Sequence, residues 1–247
     1  MADLLSTTIT RLTKSEEERR TFIGSISHDL RTPLSIARGY TETLMLKREK
    51  GDVTAEEQNY YSGIIYAKML QIENMVKQLF ELSKIESVAF TPNKEPFILS
   101  EIVQESINTF QMMATEKKVD LKCAQCLYHV WISADISMME RVLQNLIENA
   151  LKSTPEGGFI HASMSVVKKD LIFEIRNSGD PLHHDLSQWI NNYNDESALL
   201  SKRPSQSGLG LLIVQKILAL HGSSLKTRYL DGTNVFYFQM PVFDRAV

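Results

Sequence analysis

The stretch I-S-H-D-L-R-T-P-L occupies residues 26–34 and places a histidine, an aspartate and a threonine shortly before a proline. The sequence around it has a helical period, because stepping alternately by four and three residues meets mostly apolar side chains. Glu16 and Arg19 are polar interruptions of this seam. The pattern predicts one long helix with a packing seam, ending near Gly51. The seam positions are Leu5, Ile9, Leu12, Glu16, Arg19, Ile23, Ile26, Leu30, Pro33, Ala37, Tyr40 and Leu44.

A second helix is predicted from Thr54 onward, because Glu57 three residues later completes a capping box. Two long helices joined by a short turn form a hairpin with one apolar stripe on each helix. A single hairpin buries these stripes incompletely, so the pattern favours two copies in a dimeric four-helix bundle. The alternative is a monomeric hairpin packed on the second half of the chain. The seam of the second helix is Ile65, Met69, Ile72, Val76 and Leu79.

The histidine of the opening stretch is predicted to face outward. Ile26 and Leu30 are both seam positions, so His28 falls midway between them on the polar side of the helix. Asp29 adjoins it, and Thr32 lies one turn further on the same face. An imidazole in this setting can act as a nucleophile when a carboxylate orients it and accepts or stabilises its proton. The alternative reading of the same residues is a solvated histidine with no chemical role.

Composition excludes several classes of protein. The 247 residues carry a net charge of −3 with a pI near 6.1, which argues against a nucleic-acid partner. No apolar run approaches the roughly 18–20 residues that cross a bilayer, and the start M-A-D-L-L-S-T-T does not resemble a secretion signal. We therefore expect an intracellular chain or a soluble piece of a larger protein. Cys123 and Cys126 lack partners for a zinc site and indicate no disulfide framework.

The second half of the chain mixes helices and strands. A proline-containing linker is predicted at 89–97, followed by helices near 99–117 and 136–152. Two alternating stretches flank a K-K-D turn as an antiparallel hairpin, a helix follows Gly210, and V-F-Y-F-Q-M-P closes with a strand. This order predicts an α+β sandwich with helices on one face of a sheet. The predicted fold class is thus multi-domain, an all-α helical hairpin followed by an α+β sandwich.

The run F-I-G-S-I-S-H-D-L-R-T-P-L at 22–34 resembles the H-box of sensor histidine kinases of two-component systems. The resemblance implies that His28 receives phosphate from ATP and that Asp29 assists as general base. It also implies that Thr32 positions a water that removes phosphate from a partner response regulator. Pro33 stands where the first helix of this family bends, which fits the loss of one backbone hydrogen bond.

A second resemblance lies at 141–158, where R-V-L-Q-N-L-I-E-N-A-L-K-S-T-P-E-G-G is similar to the N-box of the family. Asn145 and Asn149 are four residues apart and share one helix face. Side-chain carbonyls at that spacing suit Mg²⁺ and the phosphates that it bridges, with Asn149 as the expected metal ligand. Lys152, one turn on, would complete a surface that faces phosphate. Glu148 is assigned no catalytic role.

The stretch S-G-L-G-L-L-I-V-Q-K at 207–216 resembles the G2 box of the same family. Gly208 and Gly210 would let backbone N–H groups approach phosphate just before a helix begins. Lys202 and Arg203, in the stretch expected to form a lid over ATP, either reach phosphate or are solvated loop charges.

The G1 box departs from the family pattern of Asp-x-Gly-x-Gly. Asn177 takes the place of the aspartate that accepts a bond from the adenine amino group, Gly179 is kept, and Pro181 replaces the second glycine. Gln206 stands where the G2 box usually begins with glycine. An amide oxygen accepts a weaker bond than a carboxylate does. The change is expected to weaken ATP binding by about 1–2 kcal/mol, or roughly tenfold.

These resemblances imply an organisation in four parts. Residues 1–18 are a signalling-helix segment, 19–88 the dimerisation and histidine phosphotransfer hairpin, 89–97 a linker, and 98–247 the catalytic ATP-binding domain. The implied protein is a homodimer that uses ATP and Mg²⁺ and has a response regulator as partner. It is expected to be the cytoplasmic portion of a membrane receptor, attached to the membrane only through a sensor region preceding residue 1.

The implied activity is autophosphorylation on His28, transfer to an aspartate of the regulator, and regulator phosphatase activity. The alternative is a scaffold that binds the regulator, with weak ATP affinity and either phosphatase-biased or no activity. A third reading, an ATPase of a chaperone or topoisomerase, is disfavoured because those proteins lack the histidine hairpin.

Overall fold

The chain divides into two compact units, Met1–Leu82 and Ser83–Val247. No helix among the described residues combines the length and the apolar character needed to cross a membrane. The structure is a computed structural model, and it describes residues 2–87, 90–125, 130–193 and 208–244.

The first unit is the predicted helical hairpin. Helix α1 spans Ala2–Glu49 without interruption at Pro33, and helix α2 spans Ala55–Ile85. Gly51 joins them with a positive φ of 68°, a conformation that glycine adopts without strain. The predicted helix end near Gly51 is therefore confirmed.

The capping box at the start of α2 is also confirmed. The Thr54 N–H donates to Glu57 Oε2 at 3.3 Å, and the Glu57 N–H donates to Thr54 Oγ1 at 3.1 Å. Glu57 also accepts a hydrogen bond from Lys47 Nζ at 2.5 Å, which ties the end of α1 to the start of α2. This bond raises the pKa of Lys47 and lowers that of Glu57.

The apolar seam of the hairpin is only partly buried within one chain. In α1, Ile26, Pro33 and Ala37 are buried, as the seam predicts, whereas Ile23 is exposed. In the predicted α2 seam, Met69 and Val76 are exposed, and the other positions are half-buried. The hairpin therefore retains a large apolar surface that its own two helices do not cover. Among the side chains of the hairpin that the structure describes, the exposed large apolar ones are Ile23, Leu34, Met45, Leu46, Tyr60, Tyr66, Met69, Leu70, Val76 and Phe80.

The second unit alternates strands and helices, as predicted. The elements are β1 (Glu95–Ile98), α3 (Leu99–Glu116), β2 (Asp120–Gln125), β3 (Trp131–Ala134), α4 (Ile136–Ser153), β4 (Phe159–Val167), β5 (Asp170–Ser178), α5 (His184–Asn191), α6 (Gly208–Leu220), β6 (Lys226–Leu230) and β7 (Thr233–Pro241).

The main sheet has the strand order β2-β4-β5-β7-β6. Strand β2 runs parallel to β4, and the other neighbours are antiparallel. Alternate residues of β5 are fully buried, and the residues between them are half-exposed, so one face of the sheet is covered by helices. Phe173 of β5 stacks on Phe238 of β7 in this core, with ring centroids 5.1 Å apart. The predicted α+β sandwich is confirmed.

Three details differ from the prediction. Residues 95–97 of the predicted linker belong to β1, which pairs antiparallel with β3, because Phe97 buries its ring in the second unit. Helix α6 begins at Gly208, so both glycines lie within its first turn and do not precede it. Cys123, near the end of β2, is disulfide-bonded, which the cysteine count did not indicate, and Cys126 lies outside the described residues.

The outer edge of β6 is paired with a side chain from α5. Asn191 Oδ1 accepts a hydrogen bond from the Thr227 N–H at 2.7 Å, and Asn191 Nδ2 donates to the Thr227 carbonyl at 2.9 Å. Lys226 Nζ also bonds to the Asn191 carbonyl. One amide side chain thus satisfies both backbone groups of a residue at the open side of the edge strand.

Candidate functional site

His28 is displayed on the surface of α1, as its place between two seam positions predicts. Its side chain is 70% exposed, and its Nδ1 lies 3.4 Å from Asp29 Oδ1. A carboxylate can only accept a hydrogen bond, so this contact favours the tautomer with the proton on Nδ1. The lone pair of Nε2 is then directed to solvent, which is the arrangement that a nucleophilic imidazole requires.

Thr32 lies one turn after His28, and the structure brings the two residues together. Thr32 Oγ1 donates to the backbone carbonyl of His28 at 3.4 Å, and its side chain is exposed. Asp29 is less exposed, at 15% of its side-chain surface. The three residues form one polar patch on the outer side of the hairpin, where a reaction partner can approach.

Helix α4 carries the two asparagines predicted to face phosphate. Asn145 is 4% exposed and donates from Nδ2 to the carbonyl of Arg141 at 2.9 Å. Within the described ranges, no hydrogen bond engages its side-chain oxygen. Asn149 is half-buried one turn later, on the same face of the helix. The pair therefore offers amide oxygens to a ligand along one side of α4.

Lys152, in the last turn of α4, forms an ion pair with Glu148. Its ammonium lies 3.7 Å from Glu148 Oε2 in an i,i+4 ion pair, and its side chain is 72% exposed. A long exposed lysine changes rotamer at little cost, so the ion pair does not prevent it from binding phosphate.

The end of α4 meets the end of β5 at Asn177. Asn177 is 1% exposed and donates from Nδ2 to Ser153 Oγ at 3.3 Å and to the Ser178 carbonyl at 3.1 Å. Gly179 follows with φ of 138°, and a Cβ at this position would lie 2.9 Å from the Ser153 carbonyl. Only glycine fits here, because the backbone approaches α4 closely. Ser153 was not predicted as part of the site, and only its adjacency to Lys152 pointed to it.

The first turn of α6 contains the two glycines whose backbone N–H groups are predicted to bind phosphate. Gly208 and Gly210 occupy this turn, whose N–H groups have no partners within the helix and attract anions. Helix α6 packs beside α4 in the second unit. The predicted lid residues Lys202 and Arg203, as well as Gln206, lie outside the described residues.

The donor groups suit a nucleotide and a hard cation. The amide oxygens of the buried Asn145 and Asn177 and of the half-buried Asn149 are of the type that binds a hard cation. The backbone N–H groups at the glycine-rich start of α6 are of the type that binds an anion. Among the described residues, no group of three His, Cys, Asp or Glu side chains is placed to hold a metal ion. A bound Mg²⁺ would therefore rely on amide oxygens, phosphate and water.

A buried histidine connects the two helices of this site. His221 follows α6 and is 7% exposed; its Nδ1 bonds to the Ile217 carbonyl at 2.8 Å, and its Nε2 accepts from the Asp135 N–H at 3.0 Å. Asp135 caps α4 by accepting from the Met138 N–H at 3.2 Å. Burial opposes ionisation, but hydrogen bonds from Ser137, Asn93 and Met138 lower the pKa of Asp135. An aspartate before an apolar helix is a recognisable N-cap signal, whereas the histidine contact is not visible in sequence.

The stability of the second unit should fall in mild acid because of His221. Burial lowers its pKa below the ordinary 6.5, despite the bond to Ile217 and the carboxylate of Asp135; the charge of Lys94 lowers it further. The folded state then binds fewer protons than the unfolded state as pH drops below 6.5, which reduces stability by up to about 1.4 kcal/mol per pH unit. Urea unfolding at pH 7.5 and 5.5, followed by the fluorescence of Trp131 and Trp189, measures this loss.

The matched variants are His221→Asn and His183→Asn. His183 is 70% exposed, so His183→Asn is the control for removing a histidine from the surface. His221→Asn should reduce the overall stability and flatten the dependence between pH 7.5 and 5.5. Equal pH dependence in all three proteins would show that His221 is not the responsible group.

Two protein families match the chain, the first over the helical hairpin and the second over the strands and helices that follow. Residues 18–88 match the His Kinase A (phospho-acceptor) domain. Residues 134–243 match the family described as histidine kinase-, DNA gyrase B-, and HSP90-like ATPase. The first match contains His28 and the second contains the asparagines and glycines of the candidate ATP site. Together the two matches cover most of the chain.

Curated relatives align with nearly the whole chain. The sensor protein KdpD of Clostridium acetobutylicum is 27% identical over 230 residues, which are 92% of this chain and 25% of that protein. The sensor protein SrrB of Staphylococcus aureus is 26% identical over 230 residues, with 92% of this chain and 38% of that protein covered. The chain therefore spans only a quarter to two fifths of the length of these relatives.

Solved structures share the fold. The histidine kinase ThkA, in a crystal structure with the response regulator protein TrrA, matches with a TM-score of 0.71 and 25% identity over 94% of this chain and 67% of that chain. The histidine kinase AdeS of Acinetobacter baumannii matches in fold, with a TM-score of 0.66 and 19% identity over 88% of this chain and 98% of that chain. With a phospho-acceptor domain followed by an ATPase domain and alignment to sensor proteins along both, this chain belongs to the sensor histidine kinases.

Proposed function

We propose that this protein transfers the γ-phosphoryl group of ATP to His28 and then to an aspartate of a response regulator. One observation carries the proposal: the imidazole of His28 is 70% exposed, and its Nδ1 lies 3.4 Å from the Asp29 carboxylate. The family membership supports the same assignment. The structure of ThkA in complex with a response regulator supports the choice of partner.

In the proposed reaction, Nε2 of His28 attacks the γ-phosphorus in line with the leaving oxygen. The new bond is N–P, the P–O bond to the β-phosphate breaks, and ADP leaves. Attack places positive charge on the ring, which the Asp29 carboxylate stabilises and relieves by accepting the Nδ1 proton. In this way Asp29 orients the ring before transfer and acts as its base.

On the donor side, the proposed ATP site lies between α4 and α6. Asn145, Asn149 and Lys152 would face the phosphates, and the first turn of α6 at Gly208 and Gly210 would bind them through backbone N–H groups. Mg²⁺, with Asn149 as ligand, would supply charge neutralisation at the phosphates.

The apolar surface of the hairpin supports a homodimer. Exposed residues such as Met69, Val76 and Phe80 form an unburied apolar stripe on α2, and a second copy would cover it in a four-helix bundle. Because the relatives are named sensor proteins and extend well beyond the matched part, we also infer that this chain is the cytoplasmic portion of a membrane receptor.

Incubation with γ-labelled Mg-ATP tests the kinase function. The expected product is a label on the protein that is labile in acid and stable in base, as a phosphoramidate is. A labelled protein that passes its phosphate to a response regulator would complete the sequence. Absence of label would favour a second candidate function, a scaffold that binds the regulator. The observation behind this candidate is Asn177, which stands where the family pattern has aspartate. Restoration of label by Asn177→Asp would then locate the defect in the nucleotide site.

Replacing Thr32 tests whether this protein has a phosphatase activity distinct from its kinase activity. Because its hydroxyl is exposed one turn after His28, we expect Thr32→Ala to lower the dephosphorylation of a phosphorylated regulator by roughly tenfold or more, the usual effect of losing a group that positions water. Autophosphorylation of His28 should change little. Thr43→Ala, an exposed threonine of the same helix with a similar backbone bond, is the control. Equal loss of both activities in Thr32→Ala would contradict the assignment.

A further inference from the structure

The segment between α2 and β1 is attached to α6 at both of its ends. We call residues 86–94 the connector; residues 88 and 89 lie outside the part of the chain that the structure describes. At its start, Lys216 Nζ forms an ion pair with Glu86 Oε1 at 2.8 Å. At its end, Lys94 Nζ donates to the Leu220 carbonyl at 3.0 Å. Lys216 and Leu220 are one helical turn apart, so both attachments lie on the same side of α6.

The end of the connector that precedes β1 is held by several bonds. The Asn93 N–H donates to Asp135 Oδ2 at 2.9 Å, beside the bond from Lys94 to α6. Asp135 also caps α4 by accepting from the Met138 N–H, and its own N–H donates to the buried His221. Because these bonds include backbone groups and a buried ring, we expect this end to stay attached when the other end opens.

The end of the connector that follows α2 is held by an ion pair between partly exposed side chains. Lys216 is 34% exposed, and Glu86 is 47% exposed. Ion pairs of this exposure are weak, because water and salt screen the two charges. Of the two attachments, the Glu86–Lys216 pair is therefore the one that opens more easily.

Lys216 is positioned to bind Glu86 again after the pair opens. Its ammonium also forms a hydrogen bond with the side chain of Tyr193, which follows α5. Burial opposes the ionisation of Lys216, but Tyr193 and Glu86 outweigh it and raise the pKa of the ammonium above its ordinary value. The lysine is therefore charged at neutral pH and kept in place by Tyr193, so the pair opens and closes without a change in protonation.

The boundary between the two units makes this attachment important for movement. The first unit ends at Leu82 and the second begins at Ser83, so the last residues of α2 and the whole connector belong to the second unit. While both ends are attached, the connector supplies little slack to the joint between the units. Opening the Glu86–Lys216 pair would free about six residues before Asn93, which can span up to roughly 20 Å when extended.

We propose that the Glu86–Lys216 pair is a latch that restrains the second unit and opens during each phosphotransfer cycle. The inference rests on the proposed function, in which ATP bound by the second unit phosphorylates His28 of the first. The same imidazole must then be left free for the regulator, so the second unit has to approach and leave His28 in every cycle. A closed latch slows both movements because it removes the slack of the connector. Opening it should therefore speed the cycle.

Reversing the two charges tests the latch. Glu86→Lys and Lys216→Glu each bring two like charges together and should open it, whereas the double variant carries an opposite pair again. Each single variant should increase two rates by roughly threefold to tenfold, because an ion pair is lost and a repulsion is gained. The rates are the hydrogen exchange of the connector amides, measured by mass spectrometry on the whole chain, and the steady-state transfer of label from Mg-ATP to the regulator. In the double variant, both rates should return close to those of the parent protein.

Lys77→Glu is the matched control. Lys77 forms an ion pair of similar length, 2.7 Å, with Glu73 on α2, but neither residue belongs to the connector. This variant should leave the exchange of the connector amides and the rate of regulator phosphorylation unchanged. Thermal unfolding of each variant, together with the rescue in the double variant, distinguishes an open latch from a damaged fold.

The outcomes separate the latch from the function on which it rests. Unchanged exchange in both single variants overturns the latch, and so does faster exchange without faster regulator phosphorylation. Single variants that change while the double variant is not restored overturn the pairing of Glu86 with Lys216. Absence of phosphohistidine in the parent protein contradicts the proposed function. In that case hydrogen exchange alone decides whether the latch exists, because it requires no catalysis.

Discussion

Replacing His28 with glutamine should abolish the acid-labile phosphate that forms from Mg-ATP. Glutamine keeps a polar side chain of similar length on α1, but its amide has no lone pair that attacks phosphorus. Folding should be unaffected because His28 is exposed, and surface substitutions usually change stability by less than about 0.5 kcal/mol. Labelling with γ-labelled ATP, followed by acid and base treatment, measures the effect. The affinity for ATP should remain that of the parent protein.

The chain contains its own control for this experiment. His184 also precedes an aspartate, its side chain is 76% exposed, and its Nδ1 lies 3.8 Å from Asp185 Oδ1. It therefore matches His28 in neighbour and exposure, but it belongs to the second unit. His184→Gln should label as fully as the parent protein. Label that persists in His28→Gln, or that disappears in His184→Gln, would show that the acceptor has been assigned wrongly.

Replacing Asn149 with alanine should weaken the binding of Mg-ATP by roughly tenfold to hundredfold. Loss of one ligand to a cation bridging phosphates removes a charge-assisted interaction worth about 1.5–3 kcal/mol. The half-buried position of Asn149 on α4, one turn after Asn145, places its amide at the proposed phosphate end of the site. Equilibrium titration with and without Mg²⁺ measures the effect, which should nearly vanish when EDTA removes the cation.

Gln144→Ala provides the comparison on the same helix. Gln144 is a half-exposed amide of α4 at a position that the proposed site does not use. Its replacement should leave the affinity for ATP unchanged, both with Mg²⁺ and with EDTA. If Asn149→Ala weakens binding equally with Mg²⁺ and with EDTA, Asn149 contacts the nucleotide and not the metal. If it has no effect at all, the phosphate end of the site lies elsewhere.

The hairpin could be predicted from sequence because its signals are local. Alternating steps of four and three residues, the Thr54–Glu57 box and the glycine at position 51 each depend on neighbours within one or two turns. The same is true of the β4–β5 hairpin. The α2 seam was less accurate, since an apolar stripe alone does not show which side contacts α1 and which remains exposed.

The elements that were missed depend on contacts distant in sequence. Strand β1 forms because residues 95–98 pair with β3, more than thirty residues later, and its proline marked it as a linker. The candidate site shows the same division. His28, Asp29 and Thr32 were predicted from one helical turn, and Asn145 and Asn149 from another. Ser153 and His221 act through partners that only the fold brings near, so their sequence neighbours do not reveal them.

The amide of Asn191 has a consequence for the solubility of the protein. An edge strand with free N–H and carbonyl groups is a template on which a strand from another molecule can add, the first step of many aggregates. Asn191 takes both backbone groups of Thr227 on the outer side of β6, so an incoming strand would have to displace it before forming a register. A single side chain at the end of a short helix thus protects one margin of the sheet from intermolecular pairing.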